Sequence, residues 1–167
     1  ILFQKKKFIF LKKFKKKIFL IHNKKPLGLS KNINKALRYC TSKFFAVVNP
    51  DIRIKKNIFK SILKNFKRDK KLALVSPLIL NESGHVQDTK RKYPSIINLI
   101  KREIFRMKTV NNGNDWLAGM FLIFKTNILK RINFDKNFFL YCEDVDISLM
   151  LKKKEYNFLL DQNTRVV

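Results

Sequence analysis

Acidic side chains cluster in one short stretch of a chain that is otherwise strongly basic. Glu143, Asp144 and Asp146 follow the apolar residues Phe138–Tyr141 and precede an amphipathic segment. Acids in the first turn of a helix are stabilised by the positive end of its dipole, so the stretch can simply be a helix start. A carboxylate at a helix start on the floor of a cleft can instead serve as a catalytic base. The acidic stretch alone leaves both interpretations open.

Another carboxylate follows an apolar run of strand length. The run Phe44–Val48 is typical of a buried, central parallel strand, and it ends abruptly in Asn49, Pro50 and Asp51. Ligands of open α/β sheets bind beyond the carboxyl ends of the strands. A carboxylate there can hold a hard divalent cation, and the cation can hold a diphosphate. An Asn-Pro-Asp sequence after a strand is more often only a turn, so the motif needs support from other positions.

The composition indicates one globular domain with an unusual charge. The chain has 167 residues, of which 46% are hydrophobic, and this is enough for a real core. Its formal net charge of +26 favours a nucleic-acid partner or an anionic membrane surface. The abundance of Lys, Ile, Asn and Phe is also what a very AT-rich genome encodes. The charge alone therefore does not assign a partner.

Several classes of protein are disfavoured by simple patterns. Cys40 and Cys142 are the only cysteines and form no CxxC or Cys/His cluster, so a zinc site is not expected. Two lone cysteines favour a reducing compartment. No apolar run reaches the ~20 residues that a membrane span needs. The segment Ile1–Lys17 has helical spacing of apolar residues and many lysines, which fits either a helix lying on a membrane or an ordinary surface helix.

Alternating strand and helix patterns predict an α/β domain. In chain order, the first predicted elements are a strand at Ile18–Ile21, a helix capped by Ser30 and ending near Tyr39, the strand Phe44–Val48, a helix at Ile54–Lys67 and a strand at Leu72–Ser76. This order predicts a mostly parallel central sheet flanked by helices. The later predicted elements are a hairpin at 77–87, a helical segment at 94–106, a strand at Trp116–Phe124, a helix at Thr126–Arg131, a helix after the acidic stretch, and strands at Tyr156–Leu160 and Thr164–Val167.

Five stretches fall in an order and at spacings that match a known family. They are Leu27–Asn34, Asn49–Asp51, the spaced residues Pro77, Gly84, Gln87, Arg91 and Pro94, then Trp116–Gly119, and Phe134–Asp146. Together they resemble the family 2 glycosyltransferases with a GT-A fold, in particular the rhamnosyltransferase-like branch. The corresponding family motifs are a Gly-aromatic…Asn segment, a variant of the metal-binding DxD, P…DG..Q…R..P, W..G and FDE..FLYGEDVD. The resemblance covers most of the chain from Asn23 onward.

The resemblance implies a GT-A-like, Rossmann-like fold and an inverting sugar transfer from a nucleoside-diphosphate sugar. By the matching positions, Asp51 binds a divalent cation, Mn2+ or Mg2+, on the diphosphate. Asp144 is the implied general base, and Glu143 is the second candidate. The residues implied to shape the substrate site are Asn49, Trp116 and Gly119. A metal would offset charge on the leaving diphosphate, and a carboxylate in hydrogen-bond reach would take the acceptor proton.

The sequence departs from the family pattern in three places. Cys142 stands where the family usually has glycine. Residues 1–22 match poorly, and the nucleoside-binding strand and its aspartate are not visible there. The family also has a metal-binding histidine a few residues beyond the position of Val167. We therefore expect residues 1–167 to form one partial glycosyltransferase domain, incomplete at both ends and inactive alone. Asp135 and Asp146 are interpreted as structural.

The expected function is sugar transfer, with rhamnose as the guess by resemblance, to a polysaccharide or lipid-linked acceptor in cell-surface glycan biosynthesis. The expected place is the cytoplasm, at the inner face of the cell membrane, where the basic surface fits an anionic leaflet. A basic nucleic-acid-binding module is one alternative; it explains the charge but none of the motifs. A degenerate, non-catalytic relative is another. No specific nucleic-acid partner is expected.

Overall fold

A computed structural model describes residues 21–87, 89–91 and 115–167. The helix predicted within Ile1–Lys17, all but the last residue of the strand Ile18–Ile21, and the helical segment at 94–106 lie outside the described residues. In chain order the elements are α1 (Leu29–Arg38), β1 (Phe44–Val48), α2 (Phe59–Arg68), β2 (Leu72–Ile79), β3 (Lys90–Arg91), β4 (Trp116–Leu117), β5 (Phe121–Lys125), α3 (Thr126–Ile132), α4 (Glu143–Lys153) and β6 (Asn157–Val166).

Four strands form a mixed sheet in the order β1-β5-β2-β6. β2 and β6 are parallel, whereas β5 lies between β1 and β2 and is antiparallel to both. Three of the described strands therefore share a direction, as the strand–helix alternation predicts, and β5 is the exception. Among the described strands β1 lies at the edge of the sheet, pairs only with the antiparallel β5 and has no fully buried residue, so the prediction that Phe44–Val48 is a buried, central parallel strand is wrong. Because Val48 at the end of β1 pairs with Phe121 at the start of β5, the turn before β5 lies at the carboxyl end of β1. That edge is where α/β sheets place ligands.

The apolar core has one cluster on each face of this sheet. Along β5, Leu122 and Phe124 belong to one cluster, whereas Phe121 and Ile123 belong to the other, because successive strand side chains point to opposite faces. Helices α1, α3 and α4 contribute to the first cluster and α2 to the second. Within the described ranges, no helix is long and apolar enough to cross a membrane.

Several predicted boundaries shift for physical reasons. The apolar stretch Trp116–Phe124 is two strands, β4 and β5, because the chain turns at Gly119 and Met120. The two late strands are one strand, β6, with an irregularity after Asp161. The prediction that Ser30 caps α1 is wrong. The N-cap is Gly28, and Ser30 is fully buried inside the first turn.

Candidate active site

The acidic residues form the first turn of α4, as both sequence interpretations require. Glu143, Asp144 and Asp146 all lie in that turn. Tyr141 and Cys142, directly before it, have φ angles of 69° and 66°. This left-handed region is unfavourable for residues with a side chain. The Cys142 conformation therefore explains why glycine suits this position, and the backbone keeps the glycine-like shape although Cys142 replaces it.

A short hydrogen bond joins the carboxylate of Asp144 to the W..G segment. The Gly119 N–H donates to Asp144 Oδ2 at 2.8 Å, and the Val145 N–H donates to Asp144 Oδ1 at 2.9 Å. A Cβ atom on Gly119 would lie 3.4 Å from the same Oδ2. Two separately predicted site residues are thus in direct contact. The backbone holds the carboxylate in one orientation, and Asp144 stays partly exposed.

Further hydrogen bonds fasten the W..G segment to its neighbours. The Leu117 N–H donates to the buried Ser148 Oγ at 3.4 Å, and Ser148 Oγ donates to the Asp144 carbonyl at 2.8 Å. On the other side, the Ala118 N–H donates to the Thr89 carbonyl at 2.9 Å. Alternate N–H groups thus bind α4 and the segment before β3. Trp116 lies half-buried in β4, in register with Arg91 of β3, which joins two of the motifs.

The Asn-Pro-Asp motif reaches the same turn from the end of β1. The Asn49 N–H donates to the Met120 carbonyl at 2.9 Å. The turn at Gly119 and Met120 therefore contacts the Asn49 stretch through one residue and the acidic turn through the other. Asp51 itself is exposed. The structure gives no direct contact between Asp51 and Asp144.

Glu143 and Asp144 have different environments although they are adjacent. Glu143 is only 7% exposed, and its Oε2 has no hydrogen-bond partner among the described residues. Burial raises the pKa of Glu143, and the nearby Asp144 charge raises it further. The pKa of Asp146 is also raised, first by burial and then by repulsion from Asp135. The acidic turn therefore contains carboxyls that resist ionisation beside the partly exposed Asp144.

The loop before the acidic turn is fixed to α1. The Asn34 side chain donates to the Phe134 carbonyl at 2.7 Å and accepts from the Phe134 N–H at 3.0 Å, and both bonds are buried. Farther along the loop, the Leu29 N–H donates to the Phe139 carbonyl at 2.6 Å. Gly28 has a φ of 78°, and a Cβ there would lie 2.5 Å from the Phe139 carbonyl oxygen. Sequence reasoning noted Gly28 and Asn34 as motif residues but missed this anchoring role.

The described residues supply only part of the oxygen ligands that a divalent cation needs. In the part of the chain that the structure describes, no three His, Cys, Asp or Glu side chains converge. Asp51 supplies one exposed carboxylate at the end of β1. Mg2+ sites in nucleotide enzymes commonly use one or two carboxylates together with substrate phosphates and water. The single carboxylate fits such a site, in which the diphosphate completes the ligands.

The fold is that of GT-A glycosyltransferases. GalNAc-T7, solved with UDP, GalNAc and Mn2+, superposes with a TM-score of 0.71 at 11% identity, over 98% of this chain and 34% of that chain. The mannosyltransferase PcManGT from Pyrobaculum calidifontis, solved with GDP-Man and Mn2+, gives a TM-score of 0.59 at 16% identity, over 89% of this chain and 38% of that chain. These likenesses establish the architecture that the sequence predicts.

The family follows from the sequence comparison. The model of glycosyl transferase family 2 matches residues 9–133, and the chain belongs to that family. A curated relative is the rhamnosyltransferase WbbL of Escherichia coli (strain K12), which is 27% identical over 74% of this chain and 54% of its own length. The chain thus spans about half the length of this relative. The predicted membership of glycosyltransferase family 2 is confirmed.

Proposed function

We propose that the protein transfers a sugar from a nucleoside-diphosphate sugar to an acceptor hydroxyl with inversion at the anomeric carbon. The observation that carries this proposal is the Asp144 carboxylate, held 2.8 Å from the Gly119 N–H at the ligand edge of a GT-A sheet. A fixed, partly exposed carboxylate is what a general base needs. The two neighbours described above were solved with a nucleotide or a nucleotide sugar, which supports the donor class.

Asp144 is the better candidate for the base than Glu143. The acceptor hydroxyl gives its proton to the base while its oxygen bonds to the anomeric carbon. The bond from that carbon to the diphosphate oxygen breaks on the opposite face, and its electron pair leaves with the diphosphate. Glu143 is buried, and burial raises its pKa, so it is poorly placed to meet an acceptor. Asp144 is more exposed and has an orientation fixed by Gly119 and Val145.

Asp51 is proposed to hold the divalent cation, with Asn49, Trp116 and Gly119 shaping the substrate site. A bound Mn2+ or Mg2+ would neutralise charge on the diphosphate. Both neighbours were solved with Mn2+, which supports a cation of this type. The chain after β6 is also well placed, because Val167 and Arg53 exchange two backbone hydrogen bonds. Arg53 is two residues from Asp51 in sequence. A histidine shortly after Val167 would therefore follow a residue that is already paired beside the proposed cation site.

The donor sugar, the acceptor and the cellular process are part of the same proposal. We place the enzyme in cell-surface glycan biosynthesis, with rhamnose as the donor sugar and a polysaccharide or lipid-linked acceptor. The rhamnosyltransferase among its relatives supports the sugar. A net charge of +26 supports an anionic surface at the cytoplasmic face of the membrane.

Donor binding and sugar transfer should distinguish two variants of the protein expressed from its whole reading frame. Asp51→Ala should abolish Mn2+-dependent binding of the nucleotide sugar, whereas Asp144→Asn should keep donor binding and lower transfer by about 10²–10⁴-fold. Asp135→Asn, an exposed carboxylate on the preceding loop, is the matched control and should change neither. Isothermal titration measures binding, and product analysis measures transfer and anomeric configuration.

Three results would contradict the proposal. Metal-independent donor binding that survives Asp51→Ala would refute the role of Asp51. Transfer by Asp144→Asn at the rate of the unchanged protein would refute the role of Asp144. The third result concerns the protein expressed from its whole reading frame. If it binds no nucleotide sugar but retains nucleic acid in a salt-sensitive manner, a non-catalytic, basic binding module is favoured.

A further inference from the structure

Three consecutive apolar side chains project into solvent beside the candidate base. Phe139, Leu140 and Tyr141 are 61%, 52% and 75% exposed, and Asp144 follows three residues after Tyr141. We call Phe139–Tyr141 the apolar loop. The preceding Phe138 is only half-exposed, and Phe134 is buried in the core. Contiguous exposed apolar residues commonly mark a surface that binds something.

The apolar loop is held in place although its side chains are exposed. The Leu29 N–H donates to the Phe139 carbonyl, and the Gly28 backbone lies directly against Phe139. Tyr141 and the next residue adopt left-handed φ angles, which cost free energy in residues with side chains and are kept only where the surroundings enforce them. The fold thus anchors the backbone of the loop at Phe139, which lowers the entropy cost of ordering the loop on binding.

One side of the apolar loop is basic, opposite in sequence to the acidic turn that follows it. Lys24, Lys25 and Lys31 lie within four residues of Gly28, which touches Phe139, and Lys136 lies three residues before Phe139; all four are exposed. On this side, across residues 24–31 and 133–138, Asp135 is the single acid, whereas Glu143, Asp144 and Asp146 follow the loop on the other side. Exposed aromatic and aliphatic side chains flanked by lysines are typical of segments that enter the interface of an anionic bilayer.

We propose that the apolar loop inserts into the interface of an anionic membrane and so holds Asp144 at the surface where a lipid-linked acceptor is presented. An acceptor sugar stacked on Tyr141 would use one aromatic face and would leave Leu140 and the lysines unexplained. Membrane insertion uses all three side chains, because Phe and Leu gain by leaving water and Tyr is favourable at headgroup depth. The membrane is therefore the occupant that fits the composition of the whole surface.

The inference rests on the proposed function only for the lipid-linked acceptor, and insertion itself can be measured without catalysis. The 167-residue chain is mixed with vesicles of phosphatidylcholine containing phosphatidylglycerol, and with vesicles of phosphatidylcholine alone, and bound protein is separated by sedimentation. The test variant is Phe139→Ser/Leu140→Ser. Phe59→Ser is the matched control, because Phe59 is 44% exposed on α2, which packs on the opposite face of the sheet. Any binding by residues 1–20 is common to all variants.

The test variant should bind anionic vesicles about tenfold more weakly, since it loses two exposed apolar side chains that would be partly buried in the bilayer. Phe59→Ser should bind as the unchanged chain does. Circular dichroism checks that each variant is folded. Leu140→Trp keeps the loop apolar and gives a second measurement. Brominated lipids should quench the tryptophan fluorescence of Leu140→Trp more than that of Phe59→Trp. The native Trp116 contributes the same background fluorescence to both variants.

Equal vesicle binding by the test variant and the control, or equal quenching of the two added indoles, would overturn the proposal. So would a loss of affinity for a soluble glycan with unchanged vesicle binding, because the loop would then be a sugar platform. Donor binding by the protein expressed from its whole reading frame is measured separately. If insertion fails while Asp51-dependent donor binding persists, the membrane inference falls and the proposed function stands. If donor binding fails while the loop inserts, the reverse holds.

Discussion

Replacing Gly28 with alanine should destabilise the fold because the site has no room for a side chain. The added Cβ would lie 2.5 Å from the carbonyl oxygen and 2.8 Å from the Cα of Phe139. Both atoms are backbone, so the loop must move and the hydrogen bond from the Leu29 N–H must stretch or break. The left-handed φ of 78° adds its own cost. Together these effects should lower the free energy of unfolding by about 2–5 kcal/mol.

A second glycine separates steric contact from backbone strain. Gly84 has a φ of 80°, but a Cβ there would have nothing within 4 Å. Gly84→Ala should therefore cost only about 1 kcal/mol, for the left-handed conformation alone. Urea unfolding followed by circular dichroism measures both variants. Equal losses for Gly28→Ala and Gly84→Ala would show that the contact with Phe139 does not hold the loop, and the anchoring described above would be wrong.

Three further substitutions test the surroundings of the acidic turn. Cys142→Gly should raise the free energy of unfolding by about 1 kcal/mol in a urea titration, because glycine tolerates the left-handed φ of 66°; a loss of stability would refute the strain. Glu143→Gln should stabilise the fold at neutral pH and have little effect well below the ordinary carboxyl pKa. Burial raises the folded-state pKa of Glu143, so native-state stability is lost as pH rises through the carboxyl range and the buried group ionises; a pH-independent effect would contradict this. Asn34→Ala should lower the free energy of unfolding by about 2–4 kcal/mol, since it leaves the buried N–H and carbonyl of Phe134 unpaired. Asn32→Ala, which loses one exposed hydrogen bond, should lower it far less. Similar losses of stability would argue that the two hydrogen bonds between Asn34 and Phe134, here called the clamp, do not hold the loop.

Hydrophobic patterning predicts the elements of this fold better than their directions. The run Phe44–Val48 is observed as the strand β1 with the predicted bounds. The helix predicted at Ile54–Lys67 begins later, at Phe59. The antiparallel course of β5 is not predictable from its own residues, because a buried strand has the same apolar pattern in either direction. Its direction depends on the turn at Gly119, where sequence reasoning expected only a close backbone approach.

In the candidate site, too, the sequence predicts the residue types but not their contacts. The roles of Asp51 and Asp144 are predictions from residue type and position, and the family model covers Asp51 but ends at residue 133, before Asp144. The hydrogen bond between Gly119 and Asp144 is not readable, since it joins residues 25 apart in sequence through tertiary packing. The difference between Glu143 and Asp144 is likewise a matter of burial, which two adjacent acids in a sequence do not reveal. The roles of these residues stay predictions until the variants are measured.

The clamp between Asn34 and Phe134 also constrains the order in which the chain can fold. Its two hydrogen bonds close a separation of 100 residues, and closing such a loop is slow compared with local helix formation. On the ribosome, α1 emerges long before Phe134, and a helix of 10 residues is marginal alone in water. The acidic turn is therefore assembled late, after most of the sheet has been synthesised. A nascent chain stalled before Phe134 would leave α1 without the partner that fixes it.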